Sequence, residues 1–167
     1  MTIISRLTAG HAEALLAFER ENRAYFSTSV PDRGDDYFTG FAARHRELLA
    51  EQEAGLHHFH VVEDADGALL GRINLVGVED GSAELGYRIA EKAAGRGLAT
   101  RSVRQLCVPA AQEYGLTVLR AETTLDNTGS RAVLARTGFE PVEEVMFGDR
   151  PGLRYVLDLR GGTVPAP

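Results

Sequence analysis

"GYRIAEKAAGRGLATRS" (residues 86–102) passes from an alternating, strand-like start through two glycines one residue apart into a run with helical spacing. Gly95 and Gly97 leave the backbone bare where the helix begins. At such a point free N–H groups and the positive end of the helix dipole attract phosphate, so the stretch reads as a pyrophosphate cradle. A tight strand-to-helix turn uses the same two glycines, and the context must choose between them. Two common nucleotide motifs are excluded. The chain has no Gly-Lys pair for a P-loop, and the residue three after Gly97 is Thr100, where a dinucleotide fingerprint needs glycine.

Upstream, "HHFHVVEDADGALLGRINLVGVEDGSAELGYRIA" (residues 57–90) holds three β-rich runs separated by Asp66-Gly67 and Asp80-Gly81, the pattern of an antiparallel meander. Earlier, "TIISRL" (residues 2–7) alternates like a short strand. "AGHAEALLAFERENRAYF" (residues 9–26) follows with helical spacing. After a turn-rich stretch at residues 27–36, Tyr37, Phe41, Leu48 and Leu49 mark a second amphipathic helix ending at Gly55. Downstream of the glycines, Leu98, Val103, Leu106, Cys107, Ala110 and Tyr114 keep helical spacing, with Pro109 expected to kink or break the helix near Val108. "TVLRAETT" is a strand, "TGSRAVLARTG" a short helix closed by Gly138, and "PVEEVMF" with "RYVLDL" a final hairpin. The order β-α-α-β-β-β-α-β-α-β-β predicts a mixed, largely antiparallel α/β sheet of about seven strands flanked by about four helices. The passage through residues 98–114 makes one parallel pair, and a crevice is expected beside it. One domain spanning residues 1–160 is expected, with "GGTVPAP" (residues 161–167) as a loose tail.

The charge balance of 18 Lys plus Arg against 24 Asp plus Glu gives −6, which argues against nucleic acid or an anionic membrane as partner. No apolar run reaches membrane-span length, and "MTIISRLTAG" has no signal-peptide pattern, so a cytoplasmic protein is expected. A single cysteine allows no internal disulfide and no thiolate zinc site. An oligomer is left open.

With both halves read, "AELGYRIAEKAAGRGLATRSV" (residues 83–103) and "DNTGSRAVLARTGFE" (residues 126–140) carry a resemblance over nearly the whole chain. It resembles the GNAT superfamily of N-acetyltransferases, in the RimJ/RimL-like branch that acetylates protein N-terminal amines or small amines. The first segment is similar to the family's acyl-CoA loop, the second to its Asn-x-x-Ser…Gly-Phe segment. The resemblance implies acetyl-CoA as co-substrate, held by Gly95 and by the backbone amides of Arg96, Gly97, Leu98, Ala99 and Thr100, with pantetheine paired to the edge of the preceding strand at Tyr87 and Ile89. It also implies that Asn127 orients cofactor or water, where a simple Asx turn is the alternative. Two departures stand out. Ala94 occupies the place where the loop often begins with Gln or Arg, and Leu134 the place where many members carry a tyrosine acid. The branch uses a serine at the position of Ser130 instead. Its hydroxyl suits a leaving-group acid, and equally a helix N-terminal cap.

An acceptor amine must lose a proton, and Glu84 is the leading base candidate, with an ion pair to Arg72 or Arg88 as the competing fate. Glu143, Glu144 and Asp149 in the terminal hairpin are weaker candidates. His58 and His60 share a strand face but lack a third ligand by spacing, so no metal is expected and sheet-surface positions are. Cys107 sits at an apolar helical position without a placed base. Residues 21–38 suit a lid over the acceptor, and Asp32, Asp35 and Asp36 within it suit a cationic one. The reading is direct acetyl transfer from acetyl-CoA to a primary amine, with two rivals: a non-catalytic acyl-CoA-binding or sensing module, and a structural α/β domain whose glycines are incidental.

Overall fold

The computed structural model describes residues 1–161, so the tail expected at residues 161–167 lies, apart from Gly161, outside them. Among these residues seven strands form one sheet: β1 (Ile3–Arg6), β2 (His58–Glu63), β3 (Leu69–Glu79), β4 (Ser82–Ile89), β5 (Val118–Thr124), β6 (Glu140–Phe147) and β7 (Arg150–Asp158). Their order is β1-β2-β3-β4-β5-β7-β6. The meander β2-β3-β4 is antiparallel as the acidic-Gly turns predict. At the second turn Asp80 (φ 49°) and Gly81 (φ 77°) both take the left-handed conformation that a two-residue hairpin loop requires. β4 and β5 are the parallel pair, and β7 inserts between β5 and its own hairpin partner β6.

Among the described residues six α-helices flank this sheet, of which four have nine residues or more: α1 (Ala12–Glu21), α4 (Phe41–Glu53), α5 (Leu98–Gln112) and α6 (Thr128–Arg136). The short α2 (Arg23–Phe26) and α3 (Asp35–Thr39) are pieces of the two early helices, which the sequence reads as continuous. Asn22 makes the first break. It is buried, its side-chain amide donates to the Phe18 carbonyl at 2.9 Å, and its Oδ1 accepts from the Glu91 amide at 3.0 Å. The α1–α2 joint is thereby tied to the segment that leads into the glycine loop.

The core lies on both faces of the sheet. On one face Leu106, Cys107 and Ala110 of α5 and Leu134 of α6 pack with Ile73, Leu75, Leu85 and Leu119. On the other, Leu15 and Phe18 of α1 and Phe41 of α4 pack with Phe59 and Val61. Pro109 does not end its helix: α5 runs on to Gln112. The proline leaves the Gln105 carbonyl without the bond its missing N–H would give and crowds it, but Leu106, Cys107 and Ala110 are each fully buried around it and hold the helix in place.

The expectation that His58 and His60 lie on the sheet surface is corrected. Both are buried, at 7% and 3% exposure, beneath the end of α5. The Tyr114 ring stacks on His58, and its hydroxyl lies 2.6 Å from His60 Nε2. Alternation directs both histidines to one face, as the spacing says, but that face is covered. No group of three metal-ligating side chains occurs among the described residues.

Burial, reinforced by the Arg6 charge, holds each imidazole down at about 4. A folded-state value below the ordinary 6.5 means that the stability contributed is complete above 6.5 and is lost as pH falls from there toward 4. For His60 the loss is at most about 3 kcal/mol. Thermal melts across pH 7 to 4 are expected to show a falling midpoint, and His60→Gln, which keeps a partner for Tyr114, to flatten that slope. Parallel slopes for wild type and variant would remove His60 as its cause.

Candidate active site

The β4–β5 ladder has three rungs, Ser82↔Val118, Ala83↔Leu119 and Glu84↔Arg120, and then stops. Beyond it β4 stays paired to β3 as far as Ile89, and β5 to β7 as far as Thr124. Each strand is therefore held on its outer side and open on its inner side. A cavity of about 910 Å³ fills the gap, bounded by Leu85–Ile89 of β4 and Ala121–Thr124 of β5. The Ala90 amide donates to Leu70 on β3, so the alternation of a strand turns the amides of Ile89 and Tyr87 to the open edge.

The floor of the same cavity is the glycine loop. Gly95 and Gly97 both have φ 75°, and Gly97 immediately precedes α5. A Cβ on Gly95 would meet open space and one on Gly97 only the Arg101 guanidinium at 3.2 Å, so the glycines are required by their dihedral angles rather than by crowding. Among the described residues, no backbone carbonyl accepts from the amides of residues 95–100; the first helical bond is Arg101 N–H to the Gly97 carbonyl. Gly97, Leu98, Ala99 and Thr100 line the cavity. Arg96 does not, and its carbonyl accepts from Arg101 Nη1 at 2.8 Å, which ties the loop to the helix it starts.

Across the cavity from β4, the first turn of α6 brings Asn127 and Ser130. Asn127 is the N-cap: its Oδ1 accepts from the Ser130 amide at 3.1 Å. The cap role open to Ser130 is thus taken by Asn127, and the Ser130 hydroxyl accepts from the Tyr87 hydroxyl at 3.3 Å. Burial raises the Tyr87 phenol, opposed by its bond to Ser130. Leu134 is buried in the core with no hydroxyl to offer. Sequence reasoning names Tyr87 only for its backbone; alternation along β4 places its ring on the face that α6 covers, and only the tertiary fold brings the two hydroxyls together.

Glu84 stands at the last rung before the strands part, exposed, and not on the cavity wall itself. The ion pair with Arg72 or Arg88 is not formed. Both arginines turn instead to Glu19 of α1, at 2.9 Å and 3.5 Å. Glu19 is missed by the sequence reading, although a signal existed: it shares the apolar stripe of α1 with Leu15, Phe18 and Asn22, and a carboxylate on such a stripe needs a buried partner. In the terminal hairpin Glu143 is bound to Arg154 at 2.7 Å, while Glu144 and Asp149 are exposed. Cys107 has no exposure, and burial pushes its thiol up to about 11, which makes it inert.

The lid expected at residues 21–38 does border the cavity, through Tyr25, Phe26 and Ser29–Pro31, opposite Phe147 and Gly148 of the β6–β7 turn. Its acids are largely used within it: Asp32 and Asp35 bind Arg23 at 2.7 Å and 2.9 Å.

No helix among the described residues is long and apolar enough to cross a membrane. Residues 2–140 match the acetyltransferase (GNAT) domain family. The chain is 31% identical over 136 residues to the probable N-acetyltransferase YjcK of Bacillus subtilis (strain 168), covering 77% of this chain and 74% of that protein. Its fold is similar to the ribosomal-protein-S5-alanine acetyltransferase of Vibrio fischeri, with a TM-score of 0.89 at 17% identity over 97% of this chain and 95% of that one. It is also similar to Mycobacterium smegmatis RimJ in complex with CoA-disulfide, with a TM-score of 0.83 at 23% identity over 94% and 81% of the two chains. Parted parallel strands, a glycine loop with bare amides and a matching sequence over most of its length converge on one assignment: the chain belongs to the GNAT family and is an acetyl-CoA-dependent N-acetyltransferase.

Proposed function

We propose that the chain transfers acetyl from acetyl-CoA to a primary amine, a protein N-terminus or a small molecule, by direct attack in a ternary complex, with the roles that follow. The observation that carries this reading is the continuity of one surface: the open inner edge of β4 runs straight into the bare amides that start α5, and Ser130 faces that edge. The fit is good for a long anionic thioester. The amides of Arg96, Gly97, Leu98, Ala99 and Thr100 offer donors and a helix dipole to a pyrophosphate, and Tyr87 and Ile89 offer an unpaired strand edge to the amides of pantetheine. Bound there, acetyl-CoA supplies a thioester carbonyl to which an amine nitrogen bonds as the carbon–sulfur bond breaks.

The departing sulfur needs a proton, and Ser130 is the donor in this reading, with the Tyr87 hydroxyl behind it able to restore what it gives. Asn127 holds the first turn of α6, and with it Ser130, against the cavity. The incoming amine must shed a proton, which Glu84 takes through water from the point where the strands part. The RimJ/RimL-like acceptors, protein N-termini and small amines, are the class this site is proposed to serve, in the cytoplasm.

Three variants test these roles in the full chain. Gly97→Val forces a β-branched residue to φ 75° and pulls the cradle amides out of line, so calorimetry is expected to show acetyl-CoA affinity reduced at least ~10-fold in a folded protein. Unchanged affinity would remove the cradle. Ser130→Ala is expected to lower kcat by roughly 10- to 100-fold with a small effect on acetyl-CoA affinity, since a leaving-group acid acts in the transition state; a loss confined to thermal stability would leave Ser130 a packing residue. Glu84→Gln keeps size and hydrogen bonding while removing the charge, and kcat/KM is expected to fall by about 10²-fold. An unaltered rate would discard Glu84 as the base.

A further inference from the structure

Glu19 is 1% exposed, and three arginines converge on it from three different segments: Arg72 of β3 at 2.9 Å, Arg88 of β4 at 3.5 Å and Arg33 of the lid at 3.8 Å. Arg72 and Arg88 are direct cross-strand neighbours, a like-charge pair that is tolerated because the carboxylate lies between them. One carboxylate cannot neutralise three guanidinium groups. The neighbouring acids Asp32 and Asp35 are held by Arg23, and the Asp35 side chain is largely exposed to water. Tyr37 accepts from Arg72 through its hydroxyl and brings no charge. The excess positive charge therefore falls on Arg88 and Arg33.

Arg72 is buried and its Nη1 donates to both Glu19 and Tyr37, with its Nε left without a partner among the described residues, whereas Arg88 is held by Glu19 more weakly. Its side chain is 21% exposed, its one hydrogen bond to Glu19 is at the 3.5 Å limit, and it forms part of the cavity wall beside Phe26 and Pro31 of the lid. The Phe26 ring lies against its guanidinium at 4.9 Å and fixes the plane of the fork. Burial first, then repulsion from Arg33, pulls this guanidinium below its ordinary value, the mark of a cation short of counter-charge. A preorganised guanidinium with unused N–H donors in a half-dry wall is a receptor for an oxyanion.

We infer that the acceptor amine carries a carboxylate or similar oxyanion close to its nitrogen, and that Arg88, supported by Arg33, binds that group. The inference rests on the acetyl-transfer reading and narrows it: anionic or zwitterionic amines are the preferred acceptors, and polyamines, which would bring further positive charge to Arg88 and Arg33, are poor ones. An acidic residue near the N-terminus of a peptide and the carboxylate of a free amino acid offer the same chemistry, and the acceptors tested tell them apart.

The experiment uses the full chain and acetyl-CoA with three tetrapeptides that differ only at residue two (Asp, Asn or Lys), with free aspartate and its diamide, and with spermidine, reading CoA release. The acidic member of a matched pair is expected to exceed its amide isostere in kcat/KM by roughly tenfold or more, chiefly through KM, with spermidine the poorest acceptor. Whether the advantage appears with the peptides or with free aspartate identifies the source of the oxyanion. Arg88→Gln is expected to collapse that ratio toward one, and Arg88→Lys to keep part of it. Calorimetry of the same acceptors on the CoA-loaded chain separates the two readings. Turnover of no acceptor, with the acidic preference intact in binding, overturns acetyl transfer to this class and leaves the Arg88 assignment standing. Equal binding or turnover of acid and amide by the wild-type chain, or an undiminished preference in Arg88→Gln, overturns the assignment.

Discussion

The parallel ladder between β4 and β5 ends after its third rung, and most of the functional architecture depends on that interruption. Strand backbones demand hydrogen-bond partners, and a buried strand edge without them is costly. Here β3 and β7 satisfy the outer edges of the two strands along their length, so they can part without melting. What remains is a pair of inner edges facing the cavity, with backbone groups that neither strand's neighbour occupies. The bare amides at the start of α5 border the same cavity, so the strand edge and the helix start present their donors to one space.

The other face of the sheet is organised by a charge. Glu19 lies in an otherwise apolar stripe of α1, and its ion pair with Arg72 is almost entirely dry, which ties α1 to β3 and β4. Such pairs add little net stability but are severe to break, since a lone buried charge has no solvent to turn to. Asn22, one turn on from Phe18, adds a second tie to Glu91 and so couples the position of α1 and α2 to the segment before the glycine loop.

At the start of α6 two polar residues three positions apart take different tasks. Asn127 satisfies the helix end, and Ser130, relieved of it, meets the Tyr87 hydroxyl at the cavity. The neighbouring Leu134 packs as core, so Ser130 is the residue through which α6 meets the Tyr87 hydroxyl.

Short windows of sequence carry dihedral requirements and periodicity, and these were legible. They include the left-handed glycines 95 and 97, the Asp80-Gly81 hairpin, the alternation of β2 to β4, and the helices carried by residues 98–112 and 128–136. The apolar spacing around Pro109 outweighed the local penalty of the proline, which a reading based on the missing N–H alone does not weigh. Contacts between distant segments were not legible. Tyr87 meets Ser130 across 43 residues and Arg72 meets Glu19 across 53, and no local pattern states which arginine a carboxylate will choose. The faces of the sheet follow the same division. Alternation put His58 and His60 side by side, but whether water or Tyr114 covered them was decided by where α5 ended. Propensity and period are properties of a few consecutive residues, whereas burial, charge pairing and the end of a strand ladder exist only once the whole chain has packed, and those were left to the tertiary structure.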